Sequence, residues 1–544
     1  MHVAALRTQV YGPVARPWAM GHLEPLLLTA WTLVGFALRL PLLDRFPLHP
    51  DEAIYGVWAL HLWRDDPLLL QHWPDKPPLF LWLLGGALHL FGPSQAGARW
   101  LNIALSTLTI PVVGLIAGQL WGRRAAVASA VALALNPFAL SFAPTAFTDP
   151  PLVLAGSLAL LAALRRRPFW AGLWLGAAIM TKQQGVLYAP LILAVLTTRH
   201  AARSAQNGET QTLSSRLISF VAGLGLVVLP MLYWDSLRWA VAPSPWDLSV
   251  RNYGALAIAP ITTWLAREQA WGALVWHLTA SWPPWLILGI GSGIVLLRQQ
   301  PLRAMIWPPN APLLFTLWSI AYLALHLFTT IQVWDRYLLP LAPMVALWIG
   351  WLAGRWQLDP VNPDGSHKAP KPFLYAILNL LVGLALLPPA LSAARGELPI
   401  GGDHGAYAGL REALAWVQQT ASTETVLYHR TLGWQAQFYL YDEIAAEQVA
   451  LRWFPHAVYL VDNALKTPHR HKLWIEPDWS PLRDLAFQAR VRGLTVRAAA
   501  RFGHFTVYEL TQAPLQPCSW CACAPRSPFP QLLPDMAVER SCRP

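Results

Sequence analysis

Apolar stretches close to twenty residues long recur between residues 26 and 391, and they limit the chain more than any other feature. A run of that length spans the hydrocarbon of a bilayer as a helix, and only a helix or a closed barrel satisfies its backbone there. The stretches are 26–43, 100–120, 125–143, 150–164, 169–181, 185–198, 217–235, 282–298, 311–330, 337–353 and 373–391. They predict a polytopic α-helical membrane protein with about 11 spans. Composition agrees. Of the 544 residues, 55% are hydrophobic and 13% are charged, half the charge of an ordinary soluble domain. Many of the 30 Trp residues lie at the ends of apolar runs, as interfacial anchors do. The net charge of +11 does not argue for nucleic acid, because Arg and Lys fall in short loops between the runs. Segment 26–43 starts late and lacks a small-residue cleavage site, so it is expected to be a retained helix rather than a signal peptide.

Those basic loops give an orientation. They are residues 123–124, 165–167, 199–216, 298–303 and 355–371. Placing all of them in the cytoplasm puts the N-terminus inside. It puts residues 51–76, 145–150, Lys182, 234–282, Asp335–Arg336 and everything after about Ala394 outside. Segment 77–91 is apolar but short and opens on Pro77–Pro78, so it is expected to lie along the interface. Three regions follow: a membrane domain over 1–395, a small extracytoplasmic α/β domain over 396–512, and a tail over 513–544. In the α/β domain, strands are expected at 426–428, 457–461, 494–498 and 505–510, with helices at 410–417 and 482–492. Asp403, His404, His429 and Arg430 are its polar candidates for substrate contact, with surface polarity as the plainer account. The tail holds Cys518, Cys521, Cys523 and Cys542. Its Pro-rich surround and lack of a His partner favour disorder over a metal site.

Ionisable groups next to lipid are costly and point to function. Asp51 and Glu52 follow the first span, and Asp75 and Lys76 precede a double proline. Asp149 opens the 150–164 run, Lys182 separates two short spans, and Arg336–Tyr337 opens the 337–353 run. Carboxylates and cations on one face suit transfer to a hydroxyl with departure of a phosphate. One carboxylate takes the acceptor proton, and Lys and Arg stabilise charge on the leaving phosphate. Plainer roles exist for several: Asp149 as a helix N-cap, Glu52 as a cap, Lys182 as a snorkelling cation, and Arg336 as an interfacial anchor.

The ordered segments HPDEAIYG (49–56), DKPPLFLW (75–82), TAFTDPPLVL (145–154), GLWLGAAIMTKQQGVLYAP (172–190) and DRYLLPLAP (335–343) resemble the GT-C superfamily of membrane glycosyltransferases. Within it they are similar to the branch of dolichyl-phosphate-mannose protein mannosyltransferases and bacterial aminoarabinose transferases. The resemblance implies a GT-C-like fold in the cell membrane with its active site outside. It implies Asp51 as the essential carboxylate, with Glu52 and Asp149 as further acids. It implies Lys76 on the lipid phosphate, Arg336 and Tyr337 at a phosphate-binding position, and a possible divalent metal at Asp75. His277 sits in a suitable loop as a metal partner, but nothing in the sequence fixes it there. Lys182 is a further candidate for the phosphate. The implied donor is a sugar on polyprenyl phosphate, and the acceptor a protein, lipid or glycan. No metal is obligatory, because basic side chains suffice for a monophosphate. One-step displacement implies inversion at the sugar carbon. A transporter or flippase of a lipid-linked sugar is the alternative of another class. It favours internal repeats and broken midplane helices, which are not evident here.

Overall fold

The computed structural model describes residues 23–197, 212–254, 257–298, 311–355, 372–422, 424–467 and 470–512. The cysteine tail and the basic segments 199–211, 299–303 and 356–371 lie outside the described residues.

Each apolar stretch is helical. Among the described residues, four helices can cross a membrane by length and composition, Gln95–Trp121, Leu213–Ser236, Ala311–Phe328 and the segment Asp335–Gly354. The other apolar helices include Leu23–Arg39, Asp149–Leu164, Pro168–Thr181, Gln183–Thr197, Trp282–Arg298 and Pro372–Ala394. Segment 125–143 is two helices, Arg123–Ala134 and Pro137–Phe142. Asn136 ends the first and caps the second, its side-chain oxygen accepting from the Ala139 N–H at 2.8 Å, and Pro137 is placed where its missing N–H costs nothing. Segment 337–353 likewise starts as a 3₁₀ turn, Asp335–Leu338, before the helix Leu341–Arg355. Pro340 between them cannot donate a helical hydrogen bond. Segment 77–91 is the helix Pro78–Phe91, with Phe80, Leu81 and Leu84 buried and Leu90 and Phe91 exposed.

Glycine sets one close helix pair. Helices Pro168–Thr181 and Leu213–Ser236 cross where a Cβ on Gly172 would lie 1.9 Å from the Phe220 carbonyl, and one on Gly223 1.9 Å from that of Phe169. Small residues let membrane helices approach to backbone contact. This contact fixes the helix whose end carries Lys182.

Residues 234–282 form two further helices, Pro245–Tyr253 and Trp264–Trp276. The C-terminal region is a five-stranded sheet in the order β2-β1-β3-β5-β4. The strands are β1 Thr425–His429, β2 Val449–Trp453, β3 Lys472–Pro477, β4 Leu494–Phe502 and β5 Phe505–Gln512. β1 is parallel to β2 and β3, while β5 is antiparallel to β3 and β4. Strand alternation sends Leu427 to one core with Leu410, Leu414 and Val507. It sends Val426 and Tyr428 to the other, with Leu460, Leu485 and Leu510. Segment 457–461, expected as a strand, is instead the start of helix Ala457–Lys466. Its valines suggested extension, but Ala457, Leu460, Val461 and Ala464 are all buried at helical spacing.

The sheet region docks on the membrane half through helix Gly433–Tyr439. Phe438 lies against Gly56, where a Cβ would come within 2.5 Å of its ring. Tyr439 Oη accepts from the Leu48 N–H at 3.0 Å and donates to Gln95 at 2.7 Å.

Candidate active site

Helix Pro50–Arg64 starts with a reciprocal cap. His49 Nδ1 accepts from the Asp51 N–H at 3.0 Å, and Glu52 Oε2 accepts from the His49 N–H at 2.9 Å. The proton of a neutral His49 is therefore on Nε2, which faces Asp403 at 3.3 Å.

The two adjacent acids part company here. Glu52 is 2% exposed and fully engaged. Arg99 grips it with Nε at 2.9 Å and Nη2 at 2.8 Å, and the Ala146 N–H donates at 2.8 Å. Arg99 also donates to the Phe46 carbonyl at 2.8 Å. This buried fork joins the loop before helix Pro50–Arg64, helix Gln95–Trp121 and the segment leading to Asp149. Asn102 braces the same segment by donating to the Thr145 and Phe147 carbonyls at 2.6 and 2.7 Å. His49, Arg99 and Ala146 together occupy the acceptor sites of both Glu52 oxygens.

Asp51 keeps a partly open carboxylate, 32% exposed, and pairs with Arg336 Nη2 at 2.7 Å. Burial pushes its pKa up, but Arg336, His49 and Lys76 outweigh burial and hold it below the ordinary aspartate range. Arg336 is 4% exposed and flanked by the rings of Phe147 and Trp334, 4.9 and 4.7 Å from its guanidinium carbon.

Two more cation–carboxylate pairs lie beside this one. Lys182 Nζ is 2.5 Å from Asp149 Oδ1 and 4.3 Å from the centre of the Tyr337 ring. Asp149 is completely buried at the first turn of its helix, and its Oδ2 has no partner among the described residues. Lys76 Nζ is 3.0 Å from both Asp75 Oδ1 and Tyr253 Oη, and Tyr253 donates to Asp75 Oδ2 at 2.6 Å. Gln183 donates to the Asp75 carbonyl at 2.9 Å. Burial lowers the Lys76 pKa, and the opposing charge of Asp75 only partly restores it. The Tyr253 phenol is held protonated, first by burial and then by the charge of Asp75.

The three pairs form one electrostatic unit. Arg336 lies in the fields of Asp51 and Asp149, and Lys182 in those of Lys76 and Arg336. Lys76, Lys182, Gln183, Tyr253 and Tyr337 bound a cavity of about 290 Å³. Its remaining wall includes Val186, Leu187, Val250, Leu325 and Ile331. Two cations and a largely apolar set of side chains therefore share one cavity.

The surroundings of Asp75 do not suit a metal. Its oxygens face an ammonium, a phenol and, at 3.4 Å, the Asn252 amide. Among the described residues no three His, Cys, Asp or Glu side chains gather to hold a metal ion. His277 caps the end of helix Trp264–Trp276, with Asp335 as its charged neighbour. In the sheet region, His404 stacks on Phe46 and Arg430 bonds Ser480, so neither enters the cavity.

Arg99, Asn102, Gln183 and Tyr253 were not legible as site residues. Arg99 carried one signal, an arginine inside the start of an apolar helix. Tyr253 carried none, because its short helix follows no strong periodicity.

Residues 75–234 match the family model of dolichyl-phosphate-mannose-protein mannosyltransferases. The fold matches the crystal structure of ArnT from Cupriavidus metallidurans bound to undecaprenyl phosphate, with a TM-score of 0.61 and 16% identity over 90% of this chain and 98% of that one. The apo state of that ArnT gives 0.60 and 17% over 89% and 97%. The oligosaccharyltransferase AglB from Archaeoglobus fulgidus gives 0.48 and 13% over 83% and 69%. No curated protein matches by sequence. The helical membrane half with its small C-terminal sheet therefore shares the fold of that ArnT structure.

Proposed function

We propose that the chain transfers a sugar from a polyprenyl monophosphate to an acceptor hydroxyl at the outer face of the cell membrane. The observation that carries this is the cavity beside the three ion pairs. Lys76 and Lys182 share its wall with Val186, Leu187, Val250, Leu325 and Ile331. That combination suits an anion with a long apolar tail. The ArnT structure it resembles holds undecaprenyl phosphate.

Each cation is paired with a carboxylate at rest, which offsets the desolvation of both. An entering phosphate competes for the same cations. Arg336 turning to the phosphate frees Asp51, whose carboxylate then takes the acceptor proton. The acceptor oxygen attacks the sugar carbon, the carbon–oxygen bond to phosphate breaks, and Lys76, Lys182 and Arg336 hold the charge that leaves. Tyr337 keeps Lys182 in place through its ring. Displacement in one step inverts the sugar carbon. On this reading Lys76, Lys182 and Arg336 supply the positive charge that a metal would otherwise bring.

The test is purified protein in lipid nanodiscs with a polyprenyl-phosphate sugar and a membrane extract as acceptor. Release of free polyprenyl phosphate together with labelled acceptor is expected. Lipid moving between leaflets with its sugar bond intact would replace this reading with transport.

A further inference from the structure

A second cavity, of about 360 Å³, lies where the sheet region meets helix Pro50–Arg64. It is lined by His61, Asp65, His72, Trp434, Gln437 and Tyr441, with Ile444 and Leu451 among its apolar groups. None of these residues belongs to the cation-lined cavity. Ligand sites favour such domain boundaries, and this volume is in the range of small-ligand pockets.

The chemistry of the wall is specific. His61 and His72 stack with centroids 3.5 Å apart and planes 11° from parallel. Each turns Nδ1 to a carboxylate, His61 to Asp65 at 2.9 Å and His72 to Asp66 at 3.4 Å. A neutral ring so arranged donates from Nδ1 and leaves Nε2 as an acceptor. Burial first, then the neighbouring His61, lowers the His72 pKa and favours that neutral form. Asp65 is 56% exposed and offers further acceptor sites, and Gln437 offers both kinds of group. Trp434 is 38% exposed and meets Trp58 edge-on, so part of its indole is open to the cavity.

We propose that this cavity holds a saccharide unit of the acceptor, an inference that rests on the glycosyl-transfer reading above. A pyranose presents hydroxyl donors around its rim and weakly positive C–H groups on its face. The rim matches an acceptor-rich wall, and the C–H face matches the negative face of an indole. Position agrees too. His61 is ten residues beyond Asp51 on one helix, about 15 Å at 1.5 Å per residue. A sugar held there leaves the adjoining part of a glycan acceptor within reach of Asp51. The cavity is framed from both sides, by Arg64–Asp442 at 2.6 Å and by the Tyr441 hydroxyl 3.2 Å from His61. It therefore exists only when the sheet region is docked.

The test uses the full chain in nanodiscs and three probes: undecaprenyl phosphate, a set of disaccharides (mannobiose, galactobiose, cellobiose, chitobiose), and a Gly-Ser-Thr peptide. Saturation-transfer NMR reads the sugars and peptide, and native mass spectrometry reads the lipid. At least one disaccharide is expected to bind the wild type saturably. Its affinity should fall about fivefold or more in Trp434→Ala and in His72→Phe, which keeps ring bulk but loses the acceptor. Undecaprenyl phosphate should bind all three proteins equally. Absence of disaccharide binding, equal binding by the variants, or binding confined to the peptide overturns the proposal. Failure of undecaprenyl phosphate to bind the wild type strikes the parent reading instead and is seen separately.

Discussion

Arg336 holds the Asp51 carboxylate at 2.7 Å, although the two residues are 285 positions apart and belong to different elements. The pair joins the start of helix Pro50–Arg64 to the 3₁₀ turn at the head of the segment Asp335–Gly354. It also sets the resting state of the site. Asp51 is ionised and partly open, but its charge is shared until another anion claims the arginine.

Asp51→Asn is expected to reduce transfer by about 10²-fold or more, the range for loss of a general base. Its thermal stability should change little, because the side chain is partly exposed and Asn still accepts from Arg336. Donor binding should persist. Labelled-sugar transfer, thermal melting in nanodiscs and lipid retention by mass spectrometry measure the three properties. Transfer at the wild-type rate would remove Asp51 from the mechanism.

Glu52 and Arg99 make the opposite forecast. Removing one partner of a buried ion pair strands the other, at a cost of roughly 3–5 kcal/mol. Arg99→Met should therefore lower the yield and melting temperature sharply, and the loss of transfer should follow the loss of folded protein. A well-folded Arg99→Met protein with normal activity would show that the fork does not organise the site.

Lys76 gives a pH dependence. It binds phosphate only when protonated, and its pKa is lowered from the ordinary 10.5, chiefly by burial. Affinity for polyprenyl phosphate should therefore fall as pH rises through that lowered value, earlier than for an exposed lysine. Lys76→Arg should move this alkaline limb upward, since a guanidinium does not titrate there. Binding isotherms between pH 7 and 10.5 decide it. An unchanged profile in the variant would place the titrating group elsewhere.

The sequence made the chemistry more readable than the geometry. Asp51, Lys76, Asp149, Lys182 and Arg336 stood out because charge beside an apolar run is costly, a signal that survives without coordinates. Which carboxylate serves which cation was hidden for Asp51–Arg336 and Asp149–Lys182, whose partners come from different elements, whereas Asp75 and Lys76 are adjacent. Asp51 and Glu52 are neighbours in sequence, yet one step along the helix turns Glu52 inward to Arg99 and leaves Asp51 beside Arg336. Helices of the membrane half were legible from apolar length. Their breaks at Asn136 and Pro340 needed the local rules for caps and proline as well. In the sheet region, β2 and β3 were missed and helix Ala457–Lys466 was read as a strand. Short, half-buried segments carry too few residues for period 2 and period 3.6 to separate.

Gly56 provides the last prediction, on how the two halves are held together. A Cβ there meets Phe438 at 2.5 Å, and the ring has little room to retreat because it is 2% exposed. Overpacking of this kind typically costs about 1–3 kcal/mol. Gly56→Val should therefore loosen helix Gly433–Tyr439 from helix Pro50–Arg64 without unfolding the helices that carry Lys76 and Lys182. Hydrogen exchange should rise in residues 433–445, while undecaprenyl phosphate binding stays near wild type. Gly56→Val combined with Phe438→Ala should restore protection, because the smaller side chain makes room for the added methyl groups. If exchange in 433–445 is unchanged in Gly56→Val, the two halves are held by contacts other than this one.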